Sequence, residues 1–274
     1  MSVKKTSQSA SHFVSLIVPA YKQAGLIAKN IRRLKKELDQ IRYDYEIIVV
    51  IDGLVDKTFD KLKQARLEKV RILAYPENRG KSYAVRLGLR KAKGDYIMFM
   101  DAGMEIDPNG ISMLLEHMEW YRADIIVGSK RHRASYVNYS LSRKILSFGY
   151  YYLVKLMFGI KVTDTQAGIK VFKRQVLAKV LPRLFEKRFA GDLEMLVVAK
   201  SLGFDRIFDA PIRLDYFRGG VSSAAVFLAI WGILLDTLAI YYRQNILGYY
   251  RQPHHKTMEP ADLQTFTYKK TTSN

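Results

Sequence analysis

The sequence predicts an α/β fold with a mostly parallel central sheet flanked by helices. Three observations predict it. Short apolar runs at 13–18, 45–51, 70–74, 96–100 and 125–128 have the length and composition of strands buried on both faces. Stretches with helical apolar spacing separate most of them, as right-handed crossovers require. Acids and small residues follow several of the runs, at the edge where an open α/β sheet receives its ligands.

The elements follow in order. FVSLIVPAY opens the sheet, with Pro19 expected to stop the strand. Residues 24–41 carry Leu26, Ile27, Ile31, Leu34, Leu38 and Ile41 on one helical face, with Lys and Arg between. YEIIVVI is the second strand, followed by Asp52, Gly53 and Asp56. A charged helix at about 57–68 leads to a third strand at 70–74. Pro76 to Gly80 form a loop, and 82–92 is helical. GDYIMFMDAGME is a buried strand that runs into Asp101 and Glu105. Pro108 suits the first turn of a helix over 108–121, and 125–128 is the fifth strand. Helices over 139–158, 174–181 and 191–202, a short strand at 169–172 and an extended piece at 206–213 complete the main body. No repeat and no clean linker interrupts it.

Residues 224–235 are twelve consecutive nonpolar residues, interrupted at Asp236. That run is shorter than a secure bilayer span. It favours an interfacial or partner-packing helix within 221–242, with a buried core helix as the alternative. The basic, aromatic YYRQNILGYYRQPHHK follows, and the tail from about Pro260 reads as polar and loose. At the other end, MSVKKTSQSASHF lacks the apolar segment of a signal peptide and reads as the polar lead-in of a cytoplasmic protein.

The 274 residues suit one large α/β domain, or one domain with an appendage, and 49% hydrophobic content excludes wholesale disorder. With no cysteine, disulfides and thiolate metal sites are excluded. The formal charge of +19 attracts anions over long range. No CxxC pairing or RNP-like segment points to nucleic acid, which is not expected as a partner. The apolar, basic segments near the carboxyl end point instead to an anionic membrane surface.

Asp52, Asp56, Asp101 and Glu105 each follow a predicted core strand, so a parallel sheet brings them to one edge. On so basic a protein, clustered acids suit a hard divalent cation bridging phosphates, or hydrogen bonds to a base or ribose. The bland reading is N-caps and turns, where Asp is common. Asn78, Arg79, Gly80 and Lys81 add cations at a glycine turn that opens a helix, a place suited to phosphate. Neither the P-loop nor the dinucleotide glycine spacing is present.

In this order the segments VPAYKQ, IDGLVDKT, ENRGKSYAVRLGL, GDYIMFMDAG, VTDTQAGIKVFKR and AGDLEML resemble family 2 glycosyltransferases of the GT-A fold. The likeness covers roughly residues 13–215. It is strongest to the branch of dolichyl-phosphate mannose synthases and dolichyl-phosphate glucosyltransferases. Two departures stand out. Lys22 and Gln23 replace the family's Asn and Glu, and Gly103 replaces the second acid of its Asp-x-Asp.

The resemblance implies an inverting enzyme that moves a hexose, glucose by preference, from a nucleoside-diphosphate sugar to a polyprenyl or dolichyl phosphate. UDP is favoured over GDP. It implies that Pro19, Ala20, Tyr21 and Asp52 meet the base and ribose, and that Asn78, Arg79, Gly80 and Lys81 serve the diphosphate. Asp101 and Ala102 belong to the metal strand, with Asp101 and Glu105 as ligands of Mg²⁺ or Mn²⁺. Arg131 and Arg143 are implied as the clamp on the acceptor phosphate. Asp164, Gln166 and Lys170 lie beneath sugar and acceptor, and Asp192 or Glu194 supplies a base or an orienting carboxylate. The expected organisation is a flexible 1–12, a catalytic 13–215, a membrane-associating or oligomerising 216–250 and a polar basic 251–274. The enzyme is expected on the cytoplasmic face of a membrane, peripheral or shallowly inserted, with a homo-oligomer possible. Two alternatives stay open: a transferase acting on a hydroxyl acceptor, and a binding or scaffold protein that keeps the fold with weakened metal binding.

Overall fold

The computed structural model describes residues 12–136, 141–185, 190–214, 223–254, 260 and 262–268; of 141–145 and 223–230 only the backbone is described. The strands are β1 (Phe13–Ala20), β2 (Asp44–Asp52), β3 (Val70–Tyr75), β4 (Tyr96–Met100), β5 (Ile125–Ser129), β6 (Ile169–Lys173), β7 (Ile207–Pro211) and β8 (Gln264–Thr267). They form one sheet in the order β7-β5-β6-β4-β1-β2-β3-β8. Pairs β1/β2, β1/β4, β2/β3 and β5/β7 are parallel. β6 runs antiparallel to both β4 and β5.

The strand sequences explain why both faces are covered. Within β1, β2 and β4 almost every residue is apolar, and successive side chains point to opposite faces. Leu16, Ile47, Val49, Met98 and Met100 pack on one side, against α1 (Ile27–Leu38), α2 (Thr58–Gln64) and α4 (Ile111–Trp120). Ile17, Ile48, Val50, Ile97 and Phe99 pack on the other, against α3 (Lys81–Lys91), α6 (Arg174–Val180) and α7 (Gly191–Ser201). In α1, Ile27, Ile31 and Leu34 are wholly buried, each burial stabilising the fold by about 1.5–3 kcal/mol.

Three local expectations are corrected. Pro19 does not end β1, which continues to Ala20 in register with β2. The β1/β4 pairing stops at Ile17 opposite Phe99, so the missing amide hydrogen of Pro19 lies past that ladder. The tail is not loose throughout: β8 pairs antiparallel with β3, and Phe266 packs against the core. Nor is the region after 215 wholly an appendage, because Ile240 and Tyr250 are buried in the main core. The expected flexible lead-in, His12 apart, lies outside the described residues.

Two further helices are α5 (Leu141–Phe158) and α8 (Ser223–Tyr241). Among the described residues no helix is long and apolar enough to cross a membrane. The exposed positions of α8 include Trp231, Leu235 and Leu238, three and four residues apart on one face, while Thr237 and Ile240 are buried. Phe148, Tyr152 and Leu156 repeat every four residues as an exposed stripe on α5. The described part of α8 is therefore neither wholly buried nor wholly exposed.

Helix α3 crosses β1 and β2 at Gly88. A β-carbon there would lie 2.5 Å from Ile17 Cγ2 and 3.1 Å from Val50 Cγ2, both deep in the core. Gly88→Ala is expected to destabilise the protein by about 1–3 kcal/mol through overpacking, read as a lower urea midpoint with an unchanged slope.

Candidate functional site

Parallel β1, β2 and β4 deliver Ala20, Asp52 and Asp101 to one edge of the sheet. β5 points the same way, so Lys130 and Arg131 follow at that edge; antiparallel β6 begins there, which brings in the preceding 163–168 loop. A cavity of about 410 Å³ opens at this edge, lined by Pro19, Ala20, Tyr21, Gln23, Asp52, Asn78, Gly80, Lys81, Asp101, Ala102 and Gly103. A second, of about 220 Å³, adjoins it through Asp101 and Gly103 and is lined also by Glu105, Lys130, Gln166 and Gly168.

Asp52 organises the first cavity. Its Oδ1 accepts from Tyr75 Oη at 2.8 Å and from the Arg79 amide at 2.7 Å. Its Oδ2 accepts from Asn78 Nδ2 at 3.0 Å and the Gly80 amide at 2.9 Å. Four protein donors fold the 78–80 loop onto the end of β2 and start α3 where Lys81 enters the site. Arg79 itself lies against the rings of Tyr75 and Tyr83, with its guanidinium carbon 5.3 Å from the Tyr83 centroid. Burial and the neighbouring Asp52 carboxylate hold the Tyr75 hydroxyl well above the usual tyrosine range, so it stays a donor.

Where the two cavities meet, charges alternate. Lys81 Nζ lies 2.8 Å from Asp101 Oδ1 and 3.0 Å from Oδ2. The same ammonium is 3.7 Å from Asp192 Oδ2, and Lys170 Nζ is 3.6 Å from Asp192 Oδ1. Burial pushes the Lys81 ammonium down, but Asp192 and Asp101 overcome it and hold the group above the ordinary lysine value. Lys170 is wholly buried and donates to the Ala167 carbonyl at 2.8 Å. Burial draws it below the ordinary lysine value, with Asp192 opposing. Gly168 closes tightly over Asp101: the Asp101 amide donates to the Gly168 carbonyl at 3.2 Å, and a β-carbon on Gly168 would collide with Asp101 Oδ2.

The other expected residues separate. Asp192 faces the lysines, whereas Glu194 is buried and accepts from the Phe185 amide at 2.9 Å and Tyr250 Oη at 2.8 Å. Asp56 accepts from the Ala24 and Thr58 amides and holds a turn instead of lining either cavity. Arg131 is turned to the Thr163 carbonyl and to Ser147 on α5, with Phe148 and Tyr151 against its guanidinium. Its neighbour Lys130 takes the place in the second cavity, 3.6 Å from Asp164, and sequence reasoning passed over it. Its position directly after β5 is the signal that marked it, since a residue there emerges at the site edge. Gln23 was likewise missed in favour of Tyr21. Arg143 lies on α5 with its side chain outside the described residues.

Among the described residues no group of three metal-binding side chains converges. Asp101 and Glu105 nonetheless line one cavity, and a small hard cation bound with phosphates needs only one or two protein carboxylates. The donor set fits a divalent cation that shares phosphate oxygens. Replacing Asp52 with Ala strands the donors of the 78–80 loop; the expected cost is about 2–4 kcal/mol, measured by denaturant unfolding.

The model of glycosyl transferase family 2 matches residues 15–181. The dolichyl-phosphate beta-glucosyltransferase of Drosophila melanogaster is 34% identical over 210 residues, 71% of this chain and 64% of that protein. Its counterpart in Dictyostelium discoideum is 31% identical over 206 residues, covering 69% and 63%. The chain thus spans just under two thirds of the length of these two relatives. Among solved structures, glucosyl-3-phosphoglycerate synthase from Mycobacterium tuberculosis in complex with phosphoglyceric acid superposes with a TM-score of 0.66 at 17% identity, covering 84% of this chain and 80% of that one. Mannosyl-3-phosphoglycerate synthase from Rubrobacter xylanophilus gives 0.65 at 15%, covering 94% and 87%. At these identities the structural likeness speaks for the fold alone. With most of the sheet and the site's edge inside the matched residues, the chain belongs to glycosyl transferase family 2 and carries the GT-A fold.

Proposed function

We propose that the protein is an inverting hexosyltransferase, moving glucose from a nucleoside-diphosphate sugar, UDP in preference to GDP, to dolichyl or another polyprenyl phosphate. The observation that carries this reading is the Asp101–Lys81–Asp192–Lys170 row, which starts at Asp101, shared by the two cavities, and runs inward to the wholly buried Lys170. The names of the relatives support the sugar and the acceptor.

The reaction breaks the bond between the sugar's anomeric carbon and the diphosphate, which gathers negative charge as it leaves. Lys81 is positioned to stabilise that charge. Asp192 and Lys170 keep Lys81 at the junction, and the Gly168 contact fixes Asp101. Mg²⁺ or Mn²⁺ held by Asp101 and Glu105 would neutralise part of the same charge. An acceptor phosphate oxygen already carries its electron pair in usable form, so attack needs no proton removed and Asp192 orients instead of deprotonating. Lys130 and Gln166 flank the second cavity on the acceptor side.

A third cavity, of about 480 Å³ and almost wholly apolar, supports a lipid acceptor. It lies between α5 and α8, lined by Leu146, Tyr150, Leu153, Ile233 and Leu234, and shares Gln166 with the polar site. Gln166 Nε2 donates to Tyr150 Oη, which lies 3.0 Å from Thr237 Oγ1. The exposed apolar faces of both helices, on a protein of charge +19, support peripheral attachment to the anionic cytoplasmic leaflet.

Three outcomes are expected. In a panel of UDP- and GDP-sugars with a short polyprenyl phosphate, UDP-glucose should give product. Asp101→Asn and Gly168→Ala should each lower kcat by roughly a hundredfold or more, as for loss of a main electrostatic contact. Transfer to a free sugar hydroxyl without polyprenyl phosphate would overturn the acceptor assignment. Separately, Leu235→Glu with Leu238→Glu should weaken binding to anionic vesicles about tenfold or more without lowering the unfolding midpoint. Unchanged vesicle binding, together with a shift from dimer to monomer in sedimentation, would assign that face to a second copy of the chain.

A further inference from the structure

Asp101 already faces a cation that belongs to the protein. Lys81 Nζ sits within 3.0 Å of both its carboxylate oxygens, and the same ammonium has a second acid, Asp192, at 3.7 Å. The other side of Asp101 offers little to a metal. Gly103 contributes no side chain, and a β-carbon there would meet nothing within 4 Å. Glu105 lines the adjoining cavity together with Lys130, whose ammonium is 3.6 Å from Asp164, so that cavity carries a positive charge as well.

From this arrangement we propose that Lys81 is a stand-in cation: it occupies Asp101 in the ligand-free protein, and a divalent metal binds only together with a nucleoside diphosphate. The inference rests on the reading that the first cavity takes such a diphosphate. A hard dication seeks about six oxygens. Here the protein offers two carboxylates, one of them paired with Lys81. A bare metal must displace a positive charge and approach Lys130, with no compensating ligands from position 103. A diphosphate changes each of these conditions. Its oxygens complete the metal's shell, and its negative charge draws the Lys81 ammonium from Asp101. Asp192 keeps that ammonium within the site during the exchange. Because binding free energies are linked, the diphosphate and the metal must raise each other's affinity by the same factor.

The test titrates Mn²⁺ calorimetrically into the full chain, alone and with saturating UDP, and titrates UDP in Mn²⁺ and in EDTA. UDP should tighten Mn²⁺ by at least about tenfold, and Mn²⁺ should tighten UDP equally. Lys81→Met should move two affinities in opposite directions: Mn²⁺ alone binds several-fold more tightly, and UDP in EDTA more weakly. A purely structural lysine would weaken both. Gly103→Asp, placed in open space, should also tighten Mn²⁺ alone, and it serves as the second arm if Lys81→Met is misfolded by circular dichroism. Equal Mn²⁺ affinity with and without UDP, or tighter binding in neither variant, overturns the proposal. If UDP binds but does not affect Mn²⁺, the proposal falls while the nucleotide reading stands. If UDP binds under neither condition, the nucleotide reading falls with it.

Discussion

The site depends on one bridging ammonium. Lys81 enters from the first residue of α3 and reaches Asp101 at the end of β4 and Asp192 in the first turn of α7. These residues are far apart in the chain, and the buried Asp192, unlike the half-exposed Asp101, needs the bridge to be tolerable where it lies. Asp192 is nearly buried and is flanked by Lys170, which has no exposure at all. Taking one member from such a row leaves an uncompensated charge, whereas the complete row alternates in sign. The same constraint reaches into the backbone. Asp52 must fold the 78–80 loop for α3 to begin at Lys81, and Gly168 must lack a β-carbon for Asp101 to keep its place. Charge balance at the edge is therefore held in place by hydrogen bonding and close packing of the backbone at that same edge.

Much of this architecture was legible because it follows from periodicity. Fully apolar strands separated by amphipathic helices imply a covered parallel sheet, and a parallel sheet puts Asp52 and Asp101 on one edge. The direction of β6 was not legible. Five apolar and basic residues read the same in either sense, and only their position between β4 and β5 makes them antiparallel. β8 was hidden for a related reason. QTFT is short and mostly polar, and its strand character comes from the open edge of β3 more than from its own composition.

Side-chain partnership was harder to read than element position. Arg131 and Lys130 are neighbours with the same charge, yet one is tied to α5 and the other faces the cavity. No spacing rule separates them, because the outcome depends on where β5 ends and on α5 packing beside it. Asp192 and Glu194 pose the same problem on α7. Two residues apart on a helix, they point in different directions: one to the lysines, the other to Tyr250.

That last contact joins the polar site to the apolar end of the molecule. After α8 the chain turns through 242–248 and returns Tyr250 to the core, where its hydroxyl meets Glu194. Burial and the Glu194 carboxylate keep this hydroxyl well above the usual tyrosine range, so it remains a donor across the physiological span. Glu194 in turn receives the Phe185 amide. The helix bearing the exposed apolar face is thus anchored, within a few residues, to the helix that carries the central carboxylate. On the other side, Thr237 of α8 meets Tyr150 of α5, and Tyr150 meets Gln166 at the mouth of the polar cavity. A displacement of α8 relative to the sheet would strain both connections, one on each flank of Asp192 and Lys81. The apolar surface and the charged row are for that reason joined by hydrogen bonds on two flanks, through Tyr250 and Glu194 on one and through Thr237, Tyr150 and Gln166 on the other.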